Sequence, residues 1–187
     1  MYAEWPEVDF AIESKGELSL ESPIIKKSAF LFLKYGFLSI RNAFDLSLIR
    51  NLREFYLQKY GSYFEDKDYP DALRVGERRT MISLSLEGPF NDPQFYAAPG
   101  LFPLLQLILG SDLVINSLGS VVSLPGAADQ HVHRDHPNIY AASQDHQLDL
   151  SWIEKAPPYA VTLAVPLIAL TKATGGTRFW PGTHLDT

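Results

Sequence analysis

The sequence contains no cysteine. Disulfides, thiolate zinc sites, iron–sulfur ligation and a cysteine nucleophile are all excluded, and any metal must be held by histidine and carboxylate side chains. Histidine is itself scarce, with five in 187 residues. Basic residues are in deficit: 16 Lys and Arg stand against 22 Asp and Glu, a formal charge of −6. Such a chain lacks the basic footprint of a nucleic-acid binder and has no electrostatic reason to adhere to an anionic bilayer. Long apolar runs are missing too. The richest stretch, Leu101–Leu109, is far short of the ~20 residues that cross a membrane. Met1–Pro6 shows no basic segment followed by an apolar one, so no secretory leader is visible and the expected location is the cytoplasm.

What is present is ordinary globular composition, 46% hydrophobic and 20% charged, in a length that suits one domain over residues 1–187. Residues 1–27 read as an arm and a helix start, with 1–21 an arm or a late-packed edge strand. Residues 28–110 read as a helix-rich half. Ser22-Pro23 is a helix start and Gly36 a stop, with Ile25, Ala29, Phe32 and Leu33 at helical spacing between them. Phe37–Ile40 reads as a short strand. Asp45 caps a second helix that ends at Gly61. Its stripe of Leu48, Ile49, Leu52, Phe55 and Tyr56 is expected to be buried against a β core. Arg79–Leu86 reads as a strand, Gly88-Pro89 and Asp92-Pro93 as turns, and Pro99–Leu109 as a helix stopped by Gly110.

Residues 111–187 read as β structure: Leu113–Leu124, then Tyr159–Leu170, then Thr177–Trp180. In Tyr159–Leu170 bulky Tyr159, Val161, Leu163 and Val165 alternate with small Ala160, Thr162 and Ala164. That pattern suits a strand with a core on one face and a cavity on the other, although edge packing alone also selects small residues. Helices followed by strands predict an α+β fold, and antiparallel strands with long connections suggest a sandwich or jelly roll. Between the first two strands lies Pro125–Pro157, a 33-residue connection holding four of the five histidines. Connections of that length inside compact domains are usually functional.

The densest chemistry is Gln130-His131-Val132-His133-Arg134-Asp135-His136-Pro137. On extended backbone, residues i and i+2 point the same way. His133 and Asp135 then present an imidazole and a carboxylate to one ion, two members of a 2-His-1-carboxylate set suited to non-haem Fe(II). Alone, an H-x-D also suits a polar loop with surface histidines. His131 and His133 form a competing H-x-H pair of cupin type, but no Glu follows within the next few residues. His136, before Pro137, reads as a loop residue, and His146, in a polar run, as solvated. Adjacent Arg78 and Arg79 face opposite ways on a strand, so one of them at most meets an anionic substrate. Trp180 reads as a pocket wall or, better, as a core aromatic.

Taken together, these segments resemble the phytanoyl-CoA dioxygenase-like family of Fe(II)/2-oxoglutarate oxygenases. Gln130-x-x-His133-x-Asp135 matches that family's Q-x-x-H-x-D. Tyr159–Leu170 resembles the apolar strand that follows, leading to a Pro-Leu. Gly175–His184 is similar to its G-P-T-x-x-x-P-G-S-H segment, with Gly for Pro and Thr for Ser. Phe30–Leu57, with Gly36-Phe37-Leu38-Ser39-Ile40-Arg41-Asn42, resembles its N-terminal helix–strand–helix. The likeness covers most of residues 28–187.

The resemblance implies a double-stranded β-helix of jelly-roll or cupin-like form, with N-terminal helices packed on its major sheet. It implies Fe(II) held by His133 and Asp135, 2-oxoglutarate as cosubstrate with Gln130 and Thr177 as hydrogen-bonding candidates, molecular oxygen, and hydroxylation of a small-molecule substrate. The family's second His ligand and its 2-oxoglutarate-binding Arg come from further along than the segment that His184 closes. The expectation is therefore a jelly roll cut before its closing strands. Residues 1–187 alone should not turn over the oxo-acid, whereas a chain extended past Thr187 should. The alternative is a non-catalytic jelly-roll or cupin-like binding module that has lost its complete metal triad. If His133 and Asp135 share an ion, their facing atoms should lie within about 4–5 Å of each other.

Overall fold

The computed structural model of the protein describes residues 5–13, 18–133, 135 and 157–185. Strand β1 (Glu7–Asp9) leads into the short helix α1 (Phe10–Glu13) and then α2 (Pro23–Tyr35). Strand β2 (Ser39–Arg41) returns parallel to β1, with Val8 opposite Ile40. Helix α3 (Leu46–Tyr60) runs on into a 3₁₀ turn at Gly61–Tyr63. The hairpin of β3 (Ala72–Arg74) and β4 (Arg79–Ser83) follows, then α4 (Pro93–Tyr96), α5 (Leu101–Leu109) and β5 (Gly119–Ser123). β3, β4 and β5 form an antiparallel sheet with β4 in the middle. The fold is mixed α and β. Among the described residues no helix is long and apolar enough to cross a membrane.

The core has two parts. Val8, Phe10, Ile24, Ile25 and Ala29 pack with Ala98, Leu101, Leu104 and Ile108, so α2 lies on α5. Leu48, Leu52, Tyr56 and Tyr60 of α3 pack on Ile82 of β4 and on Phe90. Phe44 borders both. Val8 and Phe10 are buried in the first core, and Glu7–Asp9 of the N-terminal stretch is an edge strand beside β2. The α3 stripe is buried at Leu48, Leu52 and Tyr56 and partly buried at Ile49 and Phe55, facing the sheet as its spacing predicts. The Asp45 carboxylate accepts from the Ser47 N–H at 3.4 Å.

Several readings need correction. Leu33 is 47% exposed, and Ile24 and Ser28 take its place on the buried face of α2. The buried Ser28 hydroxyl is satisfied by donating to the Ile24 carbonyl at 2.7 Å. Asp92-Pro93 starts α4 instead of a plain turn, with Asp92 Oδ1 accepting from the Gln94 N–H at 2.8 Å. The strands are shorter than the apolar patterns: β4 stops at Ser83, and of Leu113–Leu124 only Gly119–Ser123 is strand, with single hydrogen bonds from Leu84 to Leu118 and from Leu124 to Arg78 at its two ends. Tyr159–Leu170 and Thr177–Trp180 form no strand among the described residues. Alternation makes a segment fit for a sheet, but a strand exists only where a neighbour supplies the ladder. Tyr159–Leu170 instead packs Val161 against the first core and Leu167 against the second. The α+β class stands, and the closed jelly roll is not seen among the described residues.

Tyr56 ties α3 to the sheet through a 2.7 Å hydrogen bond between its hydroxyl and Ser120 Oγ. Burial pushes its phenol above the ordinary value of 10.0. The native state thus keeps this proton when the unfolded chain has lost it. The contribution is complete below the unfolded value and is lost as pH rises through the folded one. Tyr56→Phe should cost about 1 kcal/mol at neutral pH and make the alkaline loss of stability shallower. Tyr63, raised by its bond to Asp71, supplies part of the same loss and is retained in the variant. Urea unfolding at neutral pH and above pH ~10 checks this; an alkaline slope equal to wild type would reject it.

Candidate metal-binding loop

The loop is placed by the ends of three strands. The β3–β4 turn is closed by Val75 N–H donating to the Arg79 carbonyl at 3.1 Å. It needs φ of 144° at Gly76 and 54° at Arg78. Past β5, the Leu124 N–H donates to the Arg78 carbonyl at 3.0 Å, and the Ala127 N–H closes a turn on Leu124 at 3.0 Å. Gly126, at φ 84°, lets the chain fold back over the Arg78 guanidinium. The following residues then run across the hairpin end, where the Gln130 amide donates to the Val75 carbonyl at 3.3 Å.

This path brings His133 and Asp135 together. His133 Nε2 lies 3.5 Å from Asp135 Oδ1, inside the separation expected for two atoms facing one ion. His133 Nδ1 is 2.8 Å from the His131 carbonyl. A carbonyl only accepts, so Nδ1 carries the proton of that bond, and Nε2 is the nitrogen left to face the carboxylate. Metal-ligating histidines are oriented by the same device. Both side chains are solvent-accessible, at 40% and 65% exposure. The His131 ring stands 5.3 Å from that of His133, centroid to centroid. Its backbone, rather than its ring, sets the His133 tautomer. Among the described residues no group of three His, Cys, Asp or Glu could hold a metal ion. His136 and His146 lie outside the described residues.

Gly175–His184 reaches the loop at one point and α2 at another. Arg178 Nη2 pairs with Asp129 Oδ2 at 2.7 Å, which sets Thr177 one residue from the loop that carries Gln130. Phe179 stacks on Phe37 with centroids 4.7 Å apart, and Trp5 meets Phe37 edge-on at 4.8 Å. The Gly182 N–H donates to the Tyr35 carbonyl at 2.9 Å, and His184 Nε2 to the Leu33 carbonyl at 3.0 Å. His184 thus caps the end of α2. Trp180 is largely exposed instead of lining a core or pocket. The Asp129–Arg178 tie went unread in the sequence. Its signal is an acidic residue directly before Gln130 and a basic one directly after Thr177.

The two arginines separate because Arg78 belongs to the left-handed turn and only Arg79 to the strand. Arg78 sits on the turn with Nε 3.5 Å from Asp66 Oδ2. Arg79 lies on the sheet and donates from Nε to Ser123 Oγ at 2.9 Å. The phytanoyl-CoA dioxygenase (PhyH) family model matches residues 32–187. No solved structure matches the chain.

Proposed function

The chain belongs to the phytanoyl-CoA dioxygenase family, and on that footing we propose that it is an Fe(II)/2-oxoglutarate-dependent dioxygenase hydroxylating a small-molecule substrate. The observation that carries the site is the 3.5 Å approach of His133 Nε2 to Asp135 Oδ1. Two ligand atoms at roughly 2.0–2.2 Å from one ion, at right angles, stand about 3 Å apart. The pair therefore fits a shared ion with a small adjustment, and the imidazole offers the correct nitrogen. Iron with its oxo-acid and oxygen supplies the oxidising chemistry, and the protein supplies position.

The chain's own residues have separable tasks in this reading. The His131 carbonyl fixes the His133 ring, and Asp135 brings the negative charge that a divalent ion favours. Gln130 braces the loop on Val75 with one amide N–H and has a second to offer an oxo-acid carboxylate. Thr177, held near by the Arg178–Asp129 pair, offers its hydroxyl to the same cosubstrate. The wider architecture supported by this reading is one jelly-roll domain over residues 1–187. Helix α3 covers one face of the three-stranded sheet and, among the described residues, the other is left open, which suits a sheet lining the interior of a double-stranded β-helix.

The test is Fe(II)-dependent decarboxylation of 2-oxoglutarate by the protein together with any residues that follow Thr187. Anaerobic Fe(II) titration is the separate readout. Saturable iron binding with turnover supports the proposal. A folded protein that binds no iron and leaves the oxo-acid untouched would instead favour a non-catalytic binding module.

A further inference from the structure

The open face of the sheet is a grid. Period-two alternation and the observed register place Asp71, Ser83 and Gly119 in one row, Leu73, Met81 and Val121 in the next, and Val75, Arg79 and Ser123 in the third. Thr80 and Ile82, on the opposite face, are buried toward α3. Leu73, Met81 and Val121 are 63%, 42% and 58% exposed. This is an apolar row about 10 Å across, at a strand spacing of about 4.8 Å. Leu73 and Met81 also border a shallow, open recess with Pro70, Asp71, Ala72 and Ser83.

The third row carries the charge. Three arginines lie on this hairpin. Arg74 pairs with Asp66 at 2.7 Å, and Arg78 with the same carboxylate at 3.5 Å. No carboxylate among the described residues pairs with Arg79. Its Nε–H is fixed on Ser123 Oγ at 2.9 Å, which orients the guanidinium and leaves its terminal N–H groups for another acceptor. Gly76 adds no side chain next to it: a Cβ there would stand 3.5 Å from Arg79 Nη1. Arg79 also occupies the end of the sheet across which the Gln130–His133 run passes, since its carbonyl accepts from the Val75 N–H and the Val75 carbonyl accepts from the Gln130 amide. At the far end Asp71, bonded to the Tyr63 hydroxyl, repels a second anion.

We propose that this face binds the substrate, and that the substrate is an amphipathic small molecule with one carboxylate. Arg79 holds the carboxylate at the end nearest the His133–Asp135 loop, and the Leu73–Met81–Val121 row takes the apolar body. The oxo-acid is a poor occupant, because it has carboxylates at both ends and no apolar body to cover the row. The inference deepens the proposed oxygenase reading by naming its substrate class. It is tested without iron or turnover, so a failure of either leaves the other intact.

Met81 is one of only two methionines, so its methyl resonance reports on this face. Octanoate, octan-1-ol and 2-oxoglutarate are titrated into metal-free protein with methyl-labelled methionine. Octanoate should shift the Met81 signal saturably, and octan-1-ol should do so more weakly. Arg79→Gln should weaken octanoate about tenfold or more, since hydrogen bonds to charged groups are among the stronger polar contacts, and should leave octan-1-ol unchanged. Met81→Gln, followed by calorimetry, should weaken both. Arg50→Gln, on the exposed side of α3, is the charge control and should weaken neither. Absence of octanoate saturation, an affinity unmoved by Arg79→Gln in a folded variant, or equal binding of octan-1-ol would overturn the proposal. If Arg79→Gln instead removes 2-oxoglutarate binding, Arg79 belongs to the cosubstrate and the substrate assignment falls.

Discussion

Alanine at either His133 or Asp135 should reduce Fe(II)-dependent 2-oxoglutarate decarboxylation by about a hundredfold or more. Loss of a residue that merely orients a metal ligand costs ~10–100-fold in affinity or activity, and loss of a ligand removes the bond itself. The effect should be specific. Both side chains are exposed on a loop and outside both cores, and surface substitutions of that kind usually change stability by no more than about 0.5 kcal/mol. Each variant should therefore unfold at the wild-type urea midpoint while its iron titration loses saturation. His131→Ala discriminates the two ligand sets. Its ring is not needed if His133 and Asp135 bind the ion, because its backbone carbonyl orients His133 whatever the side chain. If His131→Ala abolishes iron binding while Asp135→Ala does not, the H-x-H pair is the site and the H-x-D pair is not.

The approach of His133 to Asp135 needs nothing beyond the loop itself, since the two stand two residues apart and meet at 3.5 Å. The Asp45 cap, the α3 stripe and the Gly36 stop are local in the same way and were legible, each settled within one or two helical turns. What the residues could not supply is pairing over distance. Tyr159–Leu170 has a strand's alternation, yet alternation does not name a partner, and none of the described strands meets it. Glu7–Asp9 has only three residues and little pattern, but β2 lies alongside it and makes it a strand. Leu33 fits the helical period as well as Ile24 does; only the position of α5 decides which edge of the stripe is covered. At the candidate site, Gln130 was recognisable as a residue, but its Val75 partner is 55 positions away. The Asp129–Arg178 pair spans 49.

Gly36→Val should destabilise the protein by about 3 kcal/mol, because three separate contributions meet at this position. The backbone is left-handed, at φ 79°, which costs a residue with a Cβ about 1–2 kcal/mol. The added carbon would fall against the His184 ring, so the ring must leave the Leu33 carbonyl, a loss of about 1 kcal/mol. Displacing that turn also strains the neighbouring Gly182–Tyr35 bond and the Phe179–Phe37 stack, an aromatic contact worth about 0.5–1.5 kcal/mol. The reason the position is so sensitive is the accounting at the end of α2. A helix leaves its last four carbonyls without intrahelical partners. Here Gly36 N–H takes Phe32, His184 takes Leu33 and Gly182 N–H takes Tyr35. The Arg178–Asp129 ion pair on the same segment is highly exposed and worth at most about 1 kcal/mol, so it does not by itself hold the segment in place once the α2 anchor is lost. Gly61→Ala is the control: Gly61 is right-handed, at φ −61°, with open space at its Cβ, and alanine there should stabilise by about 0.4–1 kcal/mol. Urea unfolding with an unchanged slope reads both. A Gly36→Val protein within about 0.5 kcal/mol of wild type would show that Gly182–His184 does not cap α2 in solution.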